Sequence, residues 1–380
     1  MPWQYDPVPP DAVADALDDA PVQSLSASAY WRRLRPRLRD FGISRVADIT
    51  GLDRVGFPVA QVVRPGARSN AVTQGKGSTL PAAAVGAVLE CLEMAAGENI
   101  ERLDKVPGGD ASRWSRLAPG LADGVVWPDA GTRYIAGYDL SCAQSVALPR
   151  DVISTDFARG SMAEAAPILR HSIGLGAGTT LGAAMMHGLL ECVEADARLR
   201  ADATGRAQRL SVSSDDPECS PLLARVGVAG LRAAIYSLPC KGGVFAIKAS
   251  VMEAPGASAL PLPATGYAAR PYQPAAIAAA LAEALQARLA AISGAREDIT
   301  QRFYAHGIGG DDLAAEWARH GPATCMMGDP RGATPTLREL AALVGPVFVM
   351  PLLWDQGLPL AIVRIVAPAL VADPLRLVSQ

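Results

Sequence analysis

The sequence predicts an α+β fold: mixed β-sheets covered by helices, built from duplicated loop–helix units around one central site. Three observations predict it. First, GKGSTLPAAAVGAVLECLE, beginning at Gly75, returns as GAGTTLGAAMMHGLLECVE, beginning at Gly176. Thr79 and Thr180, Leu89 and Leu190, Glu90 and Glu191, Cys91 and Cys192, and Glu93 and Glu194 all keep one constant spacing. Second, strand-like runs (GVFAIKASVM, PVFVMPLL and LPLAIVRIVAP) follow the units. Third, the chain has 380 residues, of which 50% are hydrophobic and 19% charged. That supplies a sizeable core and leaves little material for disorder.

Residues 1–25 read as a loose, acidic N-terminal extension, and 26–380 as a single domain. The start, MPWQYDPVPPDAVADALDDA, lacks the basic and apolar regions of a secretory signal. SAYWRRLRPRLRDFGI has helical spacing at Trp31, Leu34 and Leu38 and stops at Gly42. GFPVAQVVRP is a short strand ending at Arg64 and Pro65, and GARSNAVTQGKGST a loop leading to the first glutamate helix. A third, weaker copy, GYAARPYQPAAIAAALAEALQARLAAISGARED, places Glu283 and Gln286 where the others have glutamates. Periods this long do not make a solenoid.

Several function classes lose support on composition. The apolar stretch LVGPVFVMPLLWDQGLPLAIVRIVAPALV is broken by Gly345, Pro346, Pro351 and Asp355, so it reads as buried strands rather than a membrane span. A net charge of −3 and the lack of a long basic run argue against a nucleic-acid partner. The cysteines form no CxxC pair, and Cys91 and Cys192 read as small buried apolar residues. A cytoplasmic, reducing compartment is expected.

The glutamates carry the chemistry. Residues three apart share a helix face, and Glu90 and Glu93 lie among Ala87, Val88, Leu89, Leu92, Met94 and Ala95. Carboxylates on so apolar a face require a cation. Two such helices supply Glu90, Glu93, Glu191 and Glu194, the hard oxygen donors that Mg²⁺ takes while it binds phosphate. One pair alone would read as solvated glutamates; the repetition favours a site. His171, His187, His306 and His320 are dispersed, which disfavours a transition metal, and His187 reads as a packed or polar-face residue.

QGKGS lacks the spacing of a P-loop and GLGAG that of a dinucleotide fingerprint. As turns opening helices they could still offer N–H groups to an anion, with Lys76 adding charge. Arg288 and Arg296 have two open readings: surface ion pairs with Glu297 and Asp298, or neutralisation of a transferred phosphoryl group.

These pieces, with GISRVADITGLDRVGFPV and SIGLGAGTTLGAAMMHGLLECVEADA, resemble YcaO-domain proteins over roughly residues 30 to 370. The resemblance implies a YcaO fold in which Glu90, Glu93, Glu191 and Glu194 hold ATP through Mg²⁺. It implies a phosphate contact from Arg288; Lys76, Ser78, Thr179 and Arg296 are further candidate nucleotide contacts of this chain, and Lys76 and Arg288 are its catalytic candidates. The implied activity is phosphorylation of a backbone-amide oxygen in a ribosomally made precursor peptide. Attack by sulfide then gives a thioamide, and attack by a Cys, Ser or Thr side chain gives an azoline.

GISRVADITGLDRVGFPVAQVVRP resembles members with a TfuA-like partner, and ADPLRLVSQ lacks the proline-rich tail of many azoline-forming members; both favour the thioamide branch. A precursor peptide, a TfuA-like or leader-peptide-binding partner and a homodimer are expected. Departures from the family pattern stand at Met94, Ala195, Ile173, Thr179, Ala183 and PLLWDQGLPL. They motivate an alternative, a non-catalytic scaffold or activator that binds peptide and a partner enzyme.

Overall fold

The computed structural model describes residues 8–18, 25–103, 105–108, 112–115, 117, 127–129, 131–158, 168, 170–212, 216–253, 263–296, 299, 304, 315, 318, 325–326 and 335–370. Its first helix, α1 (Pro10–Asp18), falls inside the segment read as a loose extension. Val13 and Leu17, four apart on one face, are fully buried in a core shared with the second glutamate helix, which is why this acidic stretch is ordered. Helix α2 (Ala27–Leu34) follows, its N-terminus capped by the Ser26 hydroxyl, which accepts from Ala29 N–H.

Three sheets then form among the described residues. The first is antiparallel, in the order β1 (Arg45–Asp48), β2 (Val59–Val63), β3 (Val72–Lys76), and leads into α3 (Leu80–Glu98). The second contains β4 (Lys105–Val106), β5 (Tyr134–Asp139), β6 (Ser145–Pro149) and β7 (Leu175–Gly178), with the short helix α4 (Ser112–Ser115) between β4 and β5. After β7 comes α5 (Leu181–Thr204).

The third sheet is built from β8 (Gln208–Ser211), β9 (Leu231–Leu238), β10 (Phe245–Glu253), β11 (Ala264–Arg270) and β12 (Cys325–Met326). Helix α6 (Ser220–Val228) precedes β9, and α7 (Gln273–Ser293) follows β11. Finally α8 (Leu337–Val344) leads to β13 (Phe348–Asp355) and β14 (Leu360–Val366), which return to the middle of the second sheet, ordered β4-β5-β13-β14-β7. The expected GVFAIKASVM, PVFVMPLL and LPLAIVRIVAP strands are thus β10, β13 and β14.

One feature of the topology positions the site. β3, β7 and β11 each lie at the edge of their sheet, and each is followed at once by a long helix. The glycine-bearing segments expected as loops are therefore largely strands. A Cβ on Gly75 would lie 2.0 Å from Ala87 N, one on Gly176 2.2 Å from Ala184 O, and one on Gly266 2.3 Å from Ala280 O. Glycine is required there because helix backbone presses directly on strand backbone. The threonines do what their spacing suggests: Thr79 and Thr180 cap α3 and α5, accepting from Ala82 N–H and Ala183 N–H.

Each long helix has its own core. α3 packs in the cluster of Leu92, Trp114, Phe348 and Leu352, α5 in that of Met185, Leu189, Val349 and Val363, and α7 in that of Ile235, Ile247, Leu281 and Leu285. α3 and α7 are long and apolar enough to cross a membrane by length and composition, but more than half of each is buried against these sheets. Cys91 and Cys192 are buried as expected, and burial pushes their thiols up to about 11 and about 12. They stay protonated and serve as packing.

Candidate functional site

The three strand–helix units face one cavity of about 730 Å³, within the size range of small-molecule sites. Glu90 and Glu93 of α3, Glu191 and Glu194 of α5, and Glu283 and Gln286 of α7 all line it. The weak third copy therefore contributes to the same place as the two strong ones. β3 adds Gln74 and Lys76, β11 adds Tyr267 and Arg270, and Met94, Phe157, Ile173 and Ala195 add apolar surface.

Free groups on the edge strands meet the glutamate positions of the helices. Ala177 of β7 donates its N–H to Glu93, and Gly174, just before β7, donates to Glu191 Oε2 at 2.9 Å. Tyr267 N–H of β11 donates to Glu283 Oε1 at 3.3 Å, and Gln286 Nε2 donates to the Gln74 carbonyl of β3 at 3.0 Å. The ring of helices is stitched through groups that an edge strand would otherwise leave unpaired.

Electrostatically the carboxylates are poorly compensated. Burial, then the neighbouring Glu90, raises Glu93 to about 8, against a small opposing effect of the Ala177 N–H. Glu191 is raised well above the ordinary range by burial, then by Glu93 and Glu194, with the Gly174 N–H and Arg364 opposing. Glu194 is raised to about 7 by burial and Glu283, while Arg270, Lys76 and Arg198 pull it down. Behind Glu191, Arg364 of β14 is only 2% exposed and donates to the His171 carbonyl at 2.9 Å and the Val152 carbonyl at 3.2 Å.

The donor set matches a hard, hydrated divalent ion. Crowded carboxylates on facing helices are hard oxygen donors awaiting positive charge. Among the described residues no three His, Cys, Asp or Glu side chains form a group able to hold an ion by themselves. The expectation of a four-glutamate metal set is corrected to that extent: the four line one cavity without making a closed cage. This fits Mg²⁺, which retains waters and takes phosphate oxygens, and does not fit an ion needing an all-protein shell.

Other expected residues divide. Lys76 and Arg296 line the cavity. Ser78 and Thr179 do not; they precede the capping threonines, and the first glutamate of each helix lies about 15 Å along the axis from the helix start. Arg288 is also absent from the lining, which corrects its reading as a phosphate contact and catalytic group. It is 1% exposed, its Nε 2.9 Å from Asp53 Oδ2 and its Nη2 2.9 Å from Glu253 Oε1. Those carboxylates neutralise it and tie α7 to β10 and to the segment after β1. Arg54 also pairs with Glu253. Glu297, Asp298, His306 and His320 lie outside the described residues.

The sequence reading passed over Arg198 and Arg270 as cavity residues and took His187 for a packed or polar-face residue. His187 and Arg198 sit one turn before Glu191 and one turn after Glu194, so helical periodicity was the signal. Arg270 had none, since a strand end meets a helix only through tertiary structure. Burial, with Arg270 and Lys76, lowers His187 to about 4, so its ring is neutral.

Comparisons with known proteins bear on the family and the fold. Residues 74–368 match the family described as YcaO cyclodehydratase, ATP- and Mg²⁺-binding. A Rhizobium leguminosarum bv. trifolii protein, described as lying in the tfuA 3′ region, is 31% identical over 320 residues, covering 77% of this chain and 71% of its own. The fold matches YcaO from Methanopyrus kandleri, solved with AMPPCP and Mg²⁺, at a TM-score of 0.71, 23% identity and 92% coverage of both chains. It also matches a chain of the E. coli microcin synthetase McbBCD complex at a TM-score of 0.64 and 14% identity, over 84% of this chain and 86% of that one. The likeness to these two structures concerns fold. With its repeated glutamate helices around one cavity and a family match across most of its length, the chain belongs to the YcaO family.

Proposed function

We propose that this protein uses ATP and Mg²⁺ to activate a backbone amide in a ribosomally made precursor peptide, working in the cytoplasm as a homodimer with a TfuA-like partner. The observation that carries the reading is the convergence of Glu90, Glu93, Glu191 and Glu194, from two helices, on one cavity. The family description and the AMPPCP–Mg²⁺ complex of the M. kandleri protein support a nucleotide there. The tfuA-region relative supports the partner.

Bound Mg²⁺ would supply the positive charge that lets the glutamates ionise together and would screen the triphosphate. The chain's own groups do the rest. Glu90, Glu93, Glu191 and Glu194 would hold the ion, which would neutralise phosphate charge. The N–H groups of Gly174, just before β7, and of Ala177 in β7 fix the carboxylates of Glu191 and Glu93. Lys76, 3.2 Å from Glu283 Oε2, can exchange that carboxylate for a phosphate oxygen.

An amide oxygen is a poor leaving group and its phosphate ester a good one. Sulfide attack on the activated carbon, with cleavage of its bond to the phosphorylated oxygen and loss of inorganic phosphate, then gives a thioamide, the branch favoured here; attack by a neighbouring Cys, Ser or Thr with the same loss gives an azoline. The test is incubation with ATP, Mg²⁺, the TfuA-like partner, sulfide and the cognate peptide, followed by mass spectrometry. A gain of about 16 Da marks sulfur-for-oxygen exchange and a loss of about 18 Da cyclodehydration. An unchanged peptide with ATP intact would favour the non-catalytic scaffold instead.

A further inference from the structure

We propose that Arg198 and Arg270 receive the terminal phosphoryl group of the nucleotide, at the end of the cavity marked by Glu194 and Glu283. The inference rests on the ATP–Mg²⁺ reading above and adds the direction in which the triphosphate lies.

Arg198 stands four residues beyond Glu194, on the same helix face and about 6 Å farther along the axis. Its guanidinium carbon lies 5.3 Å from the centre of the Tyr267 ring, a cation–π contact that helps to hold the group. Arg270, at the end of the same strand as Tyr267, anchors Nη1 on the Ala269 carbonyl at 2.7 Å. Both arginines line the cavity, both are half-buried, and among the described residues neither makes a salt bridge. Lys76 reaches the same end through Glu283, whose second oxygen takes the Tyr267 N–H.

The cavity is therefore graded in charge. Glu93 has the neighbouring carboxylate of Glu90, and Glu191 has those of Glu93 and Glu194 with only Arg364 behind it. Glu194 by contrast has one carboxylate neighbour, Glu283, and three cations, Arg270, Lys76 and Arg198. A magnesium–triphosphate has a matching asymmetry: the ion belongs among the carboxylates, and the terminal phosphoryl oxygens belong where cations exceed them. The reverse orientation would set those oxygens against Glu90 and Glu93. Two guanidinium forks suit a phosphoryl group, since each offers paired N–H donors in one plane. Held in place beforehand, they remain aligned as the group leaves its diphosphate and its charge spreads over the outer oxygens.

The test is calorimetry on the full chain with Mg²⁺–AMPPCP and with Mg²⁺–ADP, for wild type, Arg198→Gln, Arg270→Gln and the two lysine variants. Each glutamine variant is expected to lose about ten- to a hundredfold in AMPPCP affinity while ADP affinity stays unchanged. Lysine at either position should recover part of the loss, because it restores charge without the fork. Equal losses for both nucleotides, or none for either, would overturn the inference. Should a glutamine variant fail to fold, the lysine variant carries the same comparison. Wild-type protein that binds neither nucleotide sinks the ATP-site reading as well. Wild-type binding that is lost in Glu191→Ala but untouched by both arginine substitutions sinks only the assignment of the arginines.

Discussion

Helices α5 and α7 follow edge strands of the same kind and carry polar residues at matching positions, yet they do opposite work. On α7, Glu283 is taken up by Lys76 and the Tyr267 N–H, and Gln286 by the Gln74 carbonyl. On α5, Glu191 has the Gly174 N–H and the field of Arg364 to set against burial and two other carboxylates. The third unit closes the ring of helices, while the second holds carboxyl groups that can ionise together only beside a cation. A change of glutamate to glutamine at one helical position, together with a lysine arriving from the next strand, separates scaffold from site.

The sharpest way to break this comparison is to truncate both. Glu191→Ala is expected to lower Mg²⁺-dependent nucleotide affinity more than about a hundredfold, and Glu283→Ala by less than about tenfold, both by calorimetry. Equal losses would erase the distinction. Next in size is Arg288→Met, which leaves Asp53 and Glu253 buried with one cation fewer. Urea unfolding should show a loss of about 3–5 kcal/mol. Nucleotide affinity of the folded variant should be unchanged; a weakened affinity would return Arg288 to the site.

Gly176→Ala and Gly266→Ala sharpen the claim that the units share one backbone contact. Each should cost about 1–3 kcal/mol, because the added methyl meets helix backbone in both units. Gly51→Ala, where nothing lies within 4 Å, is the control and should be near neutral. The smallest effect concerns pH. Glu93 at about 8 and Glu194 at about 7, against the ordinary 4.5, make the folded state hold more protons than the unfolded chain between those limits. Their contribution to the stability of the magnesium-free protein is then full below pH 4.5 and is lost as pH rises through 7 and 8. Melting followed against pH should show that decline, with a shallower slope in Glu93→Gln; a flat profile from pH 5 to 8 would contradict it.

The four glutamates were legible because repetition at a fixed spacing is information that composition cannot imitate. Their environment was less so. GKGS and GLGAG read as anion-binding turns, since a glycine needed for backbone contact looks in sequence like a glycine needed for a ligand. Arg288 and Arg296 could not be told apart by spacing: helical periodicity gives a face, and Asp53 lies far away in the chain. Acidic residues 10–18 read as a tail because their burial depends on α5 and α8. The YcaO resemblance supplied the identity of the fold, which edge strands and periodicities alone left open.

One measurement bears most directly on the shared cavity. Crystals grown with Mn²⁺ and AMPPCP should show an anomalous peak in contact with carboxylate oxygens from both α3 and α5, with the nucleotide in the same cavity. A nucleotide bound elsewhere, or an ion held by one helix alone while the other's glutamates face away from it, would contradict the account.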